Sequence, residues 1–115
     1  MLITHFTPRY HWENMRESDA FRVPSLETQG FIHCSTPEQV IPVANFIAKD
    51  WDDLVLLWID EDMVTSPIVY ENLEGGDKLF PHIYGPLNHE AVIKVSDFMK
   101  NERGEYLLPV LHEVD

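Results

Sequence analysis

The 115-residue sequence predicts an α+β domain of mostly antiparallel strands with two helices. Segments of strand length, either apolar or alternating, recur along the chain and are separated by turn-forming residues. Only two segments show helical spacing or a helix start signal. The length supports one core, and a hydrophobic fraction of 44% favours a packed globule over disorder. We therefore expect residues 1–115 to form a single domain.

The first strand is predicted at residues 2–7, where side chains alternate between the two faces. The first helix is predicted within residues 9–17, because Trp12 and Met15 lie three positions apart on one helical face. We expect residues 20–26 to be irregular.

A second strand is predicted at residues 30–34, and a second helix follows it. Residues 35–39 supply hydroxyl side chains for an N-cap, a proline, and then Glu and Gln in the first turn. The helix is expected to run to about Ala48, and Pro42 either kinks it or separates its first turn. The core-facing positions are predicted to be Val40, Val43, Ala44 and Ile47.

Residues 54–59 form a continuous apolar run, which is typical of a strand buried on both faces. Further strands are predicted at residues 67–71, 79–84 and 90–95. From Ser96 we expect a turn or short helix, followed by an extended piece at residues 106–108.

The net charge of −12, with no run of Lys or Arg, disfavours a nucleic-acid polymer or an acidic membrane surface as a partner. A small-molecule ligand remains compatible with this charge, because backbone amides and local cations can bind even an anion. The single cysteine gives no intrachain disulfide and fits a reducing compartment. Since we find no secretory signal and no apolar stretch of membrane-spanning length, we expect a cytoplasmic protein. The oligomeric state is left open.

Two segments, Gly30–Ser35 and Phe80–Gly85, each place a histidine inside an apolar, strand-like run. A buried polar group needs a hydrogen-bonding partner, so we predict one shared polar site lined by His33 and His82. His5, within the first strand, is a third candidate. The remaining histidines have polar or charged neighbours and are expected at the surface: His11, His89 and His112.

Strand alternation predicts that Phe31 and His33 face a cleft while Ile32 and Cys34 pack inward. A thiol nucleophile at Cys34 activated by His33 is therefore disfavoured, because adjacent strand residues point to opposite faces.

Four more side chains are candidates for this site. Glu71 ends a strand, where a carboxylate can orient a histidine or a ribose hydroxyl or stabilise a developing cation, or else is simply solvated. Ser35 either caps the second helix or, with Gln39 one turn further on, holds a ligand hydroxyl or phosphate. Tyr84, before a Gly-Pro turn, either binds a ligand or caps that turn.

A metal site built from three histidines and a glutamate is an alternative. The spacing lacks every short metal-binding pattern, such as His-x-His, so no metal is expected. Gly75-Gly76 lacks the following Lys-Ser/Thr of a phosphate-binding loop.

These residues resemble a small bacterial family known as domain of unknown function 952, over about residues 2–95. The resemblance runs in order through His5, Trp12, Ser25-Leu26, Gly30–Ser35, Gln39, Asp53–Ile59, Glu71, Phe80–Tyr84 and Pro86-Leu87.

More distantly, the family resembles the ADP-ribosyltransferase-like fold, which consists of two small packed sheets with NAD bound in the cleft between them. The resemblance matches His5 to a first-strand histidine that contacts the nicotinamide-side ribose. It puts His33 where a tyrosine usually stacks. The ADP-ribosyltransferase-like site also has a glutamate on a later strand. Glu90 matches this glutamate by its position in the chain, whereas Glu71 fits the pattern of the domain of unknown function 952 family better.

The resemblance implies a site for NAD, ADP-ribose or a related nucleotide. If the site is catalytic, the bond to nicotinamide breaks through an oxocarbenium-like state, with His5 on the ribose and His33 on the base. A glutamate stabilises the cation and orients the acceptor, and His82 and Tyr84 complete the pocket. The alternatives are a non-catalytic module that binds a small metabolite or phosphate, and a metal-dependent enzyme.

Overall fold

The computed structural model describes residues 1–73 and 75–110, which form two three-stranded antiparallel sheets and three α-helices. In chain order the elements are β1 (Leu2–Pro8), α1 (Arg9–Met15), α2 (Ser25–Thr28), β2 (Ile32–His33), α3 (Val40–Ile47), β3 (Leu54–Asp60), β4 (Ile68–Glu71), β5 (Phe80–Ile83) and β6 (Val92–Phe98). The larger sheet has the order β1-β3-β6 and the smaller sheet the order β2-β5-β4. The predicted α+β class with antiparallel strands is confirmed.

β3 is the central strand of the larger sheet and is buried on both faces, as its apolar run predicts. One face carries Val55, Leu57 and Ile59, which pack in one cluster with Ile32 and Ile83 of the smaller sheet. The other face packs against α3 and the C-terminal segment through Leu54, Leu56, Trp58, Val40, Ala44, Ala48 and Tyr106. The domain is thus layered as helix, sheet and sheet.

The two sheets are joined directly at Thr4 of β1 and Ser35 after β2. The Thr4 amide donates to the Ser35 carbonyl at 2.7 Å, and the Ser35 amide donates back to the Thr4 carbonyl at 2.9 Å. The Thr4 hydroxyl adds a third bond to that Ser35 carbonyl, at 2.8 Å. This junction brings the middle of β1 next to the end of β2.

The second helix begins later than predicted. Residues 37–39 form a turn, in which the Gln39 amide donates to the Thr36 carbonyl, and α3 starts at Val40. Pro42 then lies in the first turn, where a missing amide is tolerated. Val40 and Ala44 are buried as predicted, whereas Ile47 is 51% exposed, so its core assignment was wrong.

Two further local expectations were partly wrong. The segment at residues 20–26, expected to be irregular, contains the start of α2 at Ser25. The turn or short helix expected from Ser96 comes later, because β6 runs on to Phe98. Within residues 96–110 the chain forms a turn at residues 102–103 and no helix, and it returns through a bridge between Lys100 and Tyr106. Tyr106 is held in place because its ring stacks on Phe98 at 4.7 Å between centroids, and its hydroxyl donates to the Ala48 carbonyl at 2.8 Å.

Among the described residues, no helix has both the length and the apolar character that crossing a bilayer requires. His112, expected at the surface, lies outside the described residues.

Candidate functional site

A cleft of about 1020 Å³ opens beside the junction of the two sheets. Five of the predicted site residues contribute to its lining: His5, Ser35, His33, Glu71 and His82. The fold therefore brings together residues from β1, β2, β4 and β5 that are widely separated in sequence. The roles assigned to them stay predictions.

His5 has a defined orientation. Its Nδ1 atom lies 2.6 Å from the carbonyl oxygen of His33, which can only accept, so Nδ1 carries the proton. Burial lowers the pKa of His5 to about 4, so the ring is neutral at neutral pH. Among the described residues its Nε2 atom has no hydrogen-bond partner, and His5 contributes to the cleft lining. The ring therefore brings an unprotonated acceptor nitrogen to the lining of the cleft.

His82 is paired with a carboxylate from the neighbouring strand. Its Nδ1 atom lies 2.8 Å from Oε2 of Glu71, and that oxygen also accepts the hydroxyl proton of Tyr84. The Tyr84 hydroxyl and then His82 lower the pKa of Glu71, and the carboxylate in turn raises the pKa of Tyr84. Glu71 is therefore ionised at neutral pH, and its carboxylate accepts a hydrogen bond from Nδ1 of His82 and orients that ring.

His82 is 5% exposed, because Phe31 covers one face of its ring. The two rings stack with centroids 4.1 Å apart and planes inclined by 19°. His33 pairs with His82 across the β2–β5 register, and their ring centroids are 5.3 Å apart. Two histidines and one phenylalanine, His33, His82 and Phe31, thus form a single aromatic group in the cleft lining.

The predicted alternation of this strand is confirmed. Ile32 and Cys34 belong to the core, and His33 is exposed toward the cleft. Phe31 lies on the same side as His33 but is 4% exposed. Burial strongly raises the pKa of the Cys34 thiol, which disfavours the nucleophilic thiolate.

Ser35 and Gln39, which are predicted at the start of the second helix, have different surroundings from those expected. Ser35 lines the cleft, but α3 begins five residues later, so the N-cap role is wrong. Gln39 lies outside the lining. Its side chain accepts from the Thr36 amide at 3.0 Å and donates to the Leu79 carbonyl at 2.8 Å, which ties the turn before α3 to the segment before β5.

Tyr84 and Glu90 also lie outside the lining. Tyr84 contacts two residues of the lining, because its hydroxyl donates to Glu71 and its ring centroid lies 5.2 Å from that of Phe31. Glu90 lies exposed in a 3₁₀ turn at His89–Ala91 and accepts a long bond from Asn88 at 3.4 Å. Of the two candidate acids, Glu71 is the one at the cleft.

The wall of the cleft is apolar and was not predicted. It includes exposed side chains from α1, α3 and the segments that follow α3 and β4: Tyr10, Phe46, Ile47, Trp51 and Leu73. The sequence signal was a helix with apolar residues on more than one face, of which Ile47 is among the positions predicted to face the core. Gln29 was also missed; its Oε1 accepts from Nε2 of His33 at 2.6 Å and fixes that ring.

His11 and His89 are half-buried rather than simply at the surface. The Nε2 atom of His11 bonds to the Arg22 carbonyl at 2.7 Å, and that of His89 bonds to the Ser18 carbonyl at 2.9 Å. Both hold loop backbone in place. Within the described ranges, no three His, Cys, Asp or Glu side chains are grouped as metal ligands.

The chain is similar to a solved protein, CC0527 from Caulobacter crescentus. The crystal structures of that protein and of a double mutant each match with a TM-score of 0.83 and 28% identity, over 94% of this chain and 95% of the other. Its solution structure matches with a TM-score of 0.78 and 28% identity, over 90% of both chains. No curated protein matches this chain.

The family model described as protein of unknown function (DUF952) matches residues 6–95, which contain His33, His82 and Glu71 of the cleft but not His5. The chain belongs to this family of proteins of unknown function.

Proposed function

We propose that the cleft binds a nucleotide of the NAD or ADP-ribose type, in an ADP-ribosyltransferase-like arrangement of two packed sheets. The observation that carries this proposal is the neutral His5 ring in the cleft lining, whose Nδ1 donates to the His33 carbonyl and whose Nε2 is an unprotonated acceptor. A neutral acceptor suits a ribose hydroxyl, because that hydroxyl donates a proton and carries no charge.

The size and lining of the cleft agree with such a ligand. A volume of about 1020 Å³ is at the upper end of the usual range for small-molecule sites, roughly 300–1,000 Å³. Exposed aromatic side chains, among them Tyr10, Phe46 and Trp51, supply faces on which a planar base can stack. The buried, unpaired Cys34 fits a reducing compartment, and we propose a cytoplasmic location.

The pairing of Glu71 with His82 favours a reaction at this site over binding alone. In the proposed step, the bond between C1′ of the ribose and the nicotinamide nitrogen breaks, and its electron pair neutralises the pyridinium ring. An acceptor hydroxyl oxygen bonds to C1′, and its proton passes to Nε2 of His82. The Glu71 carboxylate stabilises the imidazolium that forms.

Binding is tested by isothermal titration of the protein with NAD and with ADP-ribose. We expect NAD to bind, and we expect His5→Gln to weaken its binding about tenfold, the effect of one hydrogen bond worth about 1.4 kcal/mol. His89→Gln is the matched control, because His89 lies outside the cleft lining. Absence of heat with either ligand, together with an unchanged melting temperature, overturns the proposal.

Turnover is tested by chromatography for free nicotinamide after incubation with NAD. We expect His82→Gln to lower the rate of release on the order of 10²- to 10⁴-fold while the variant still binds NAD. If the wild-type protein binds NAD and releases no nicotinamide, the cleft is a non-catalytic binding module.

A further inference from the structure

The cleft contains no permanent cation. Its lining includes no Lys or Arg, although the sequence has eight such residues and all of them lie within the described ranges. They are Arg9, Arg16, Arg22, Lys49, Lys78, Lys94, Lys100 and Arg103.

Arg9 is the basic residue next in sequence to the cleft lining, because Pro8 and Tyr10 both contribute to it. Its guanidinium is held away by two carboxylates, with Nε 2.8 Å from Asp53 and the second terminal nitrogen 2.6 Å from Asp97. Arg9 and both carboxylates line a separate, smaller cavity of about 230 Å³. Arg9 therefore has its charge neutralised outside the site.

Other means of binding a phosphate are also weak here. In α3, which lies beside the cleft, the Val40 amide already donates to the Thr36 carbonyl, and Pro42 has no amide to offer. Anion sites at helix ends need open amides, and the strong phosphate sites use Arg or Lys. Glu71 adds a negative charge to the lining, and the whole chain carries −12.

The same lining is suited to a cation. Aromatic faces and a carboxylate attract a positively charged ring, whereas they repel the two negative charges of a pyrophosphate. The Tyr10 and Phe46 side chains are 71% and 83% exposed and can meet such a ring without rearrangement of the core.

We propose that the cleft recognises an N-ribosylated aromatic cation, the nicotinamide-riboside half of the ligand, and leaves its phosphates in solvent. This inference rests on the proposed function, and it names the part of the nucleotide that is bound. The phosphates then contribute nothing to affinity or weaken it.

The test is isothermal titration at low ionic strength with nicotinamide riboside, nicotinamide mononucleotide and NAD. We expect the riboside to bind at least as tightly as either phosphorylated compound, and added salt to leave the affinity for the mononucleotide unchanged or improved. If the mononucleotide and NAD bind about tenfold or more tightly than the riboside, this inference is overturned while the proposed function stands. If none of the three binds, both fail.

Recognition of the cation is tested by comparing nicotinamide riboside with its neutral dihydro form. We expect the wild-type protein to prefer the cation by about fivefold, and Glu71→Gln to remove that preference. Tyr84→Phe is the matched control, because it removes a partner of Glu71 but keeps the carboxylate. Equal affinity of the wild-type protein for the two forms overturns the inference.

Discussion

Oε2 of Glu71 accepts hydrogen bonds from both Nδ1 of His82, at 2.8 Å, and the hydroxyl of Tyr84. Glu71 ends β4, while His82 lies in β5 and Tyr84 directly follows it, so one carboxylate oxygen joins two neighbouring strands at the cleft. This contact orients the His82 ring and favours the ionised form of Glu71.

The first prediction concerns this contact and acid stability. The pKa of Glu71 is lowered below its ordinary 4.5 in the folded protein, so the unfolded chain binds the proton more readily. The resulting stabilisation of the folded protein is complete above pH 4.5. It is lost as the pH falls through the lower pKa that Glu71 has in the folded protein. Urea unfolding of the wild-type protein and Glu71→Gln at several pH values should give a stability difference that shrinks on acidification. A difference independent of pH between about 3 and 7 would contradict this.

The second prediction concerns His5. Burial lowers its pKa from 6.5 to about 4, so the unfolded chain binds more protons than the folded protein between those values. The free energy of unfolding should therefore rise with pH through this window and reach its full value above 6.5, a gain on the order of 3 kcal/mol. His5→Gln should flatten the rise. Phe46→Gln, which alters an exposed cleft residue with no titratable group, should keep it.

The third prediction concerns Gly85, in the turn that follows Tyr84. Its φ of +151° is rarely adopted by other residues, and an added Cβ would lie 2.5 Å from Oγ of Ser66. Gly85→Ala should lower the free energy of unfolding by about 2–4 kcal/mol. Gly104→Ala, at φ +80° with open space around it, should cost only about 1 kcal/mol. Equal losses in thermal unfolding would show that the contact with Ser66 does not matter.

The fourth prediction concerns β3. Leu57 is fully buried between the sheets, and Leu57→Ala should lower the free energy of unfolding by about 2–5 kcal/mol, because it removes apolar contacts and leaves a cavity. Val69→Ala, in β4 at 41% exposure, should change it by less than about 1 kcal/mol. Chemical denaturation of both variants measures the difference, and similar losses would argue against β3 as the centre of the core.

The strands that sequence reasoning found best were those with a strong local pattern. β3 is apolar throughout and occupies the centre of a sheet, while β1 alternates and forms its edge. The segment at residues 30–34 is predicted as one strand, but β2 comprises only Ile32–His33, with one further bond from the Cys34 amide to the Pro81 carbonyl of β5. The chain changes partner there, because Ser35 bonds to Thr4 of the other sheet, and no local pattern encodes that change.

By itself, the sequence determined the α+β class, the antiparallel strands and the inward side of β2, because side-chain periodicity reports which face of an element is buried. It also indicated a shared site for His5, His33 and His82, since histidines within apolar runs need partners. Only the tertiary structure decided that Glu71 rather than Glu90 reaches the cleft, that Gln39 is engaged elsewhere, and that the wall is apolar and free of cations. Those outcomes depend on strand register and on contacts between distant segments, which local sequence patterns do not specify.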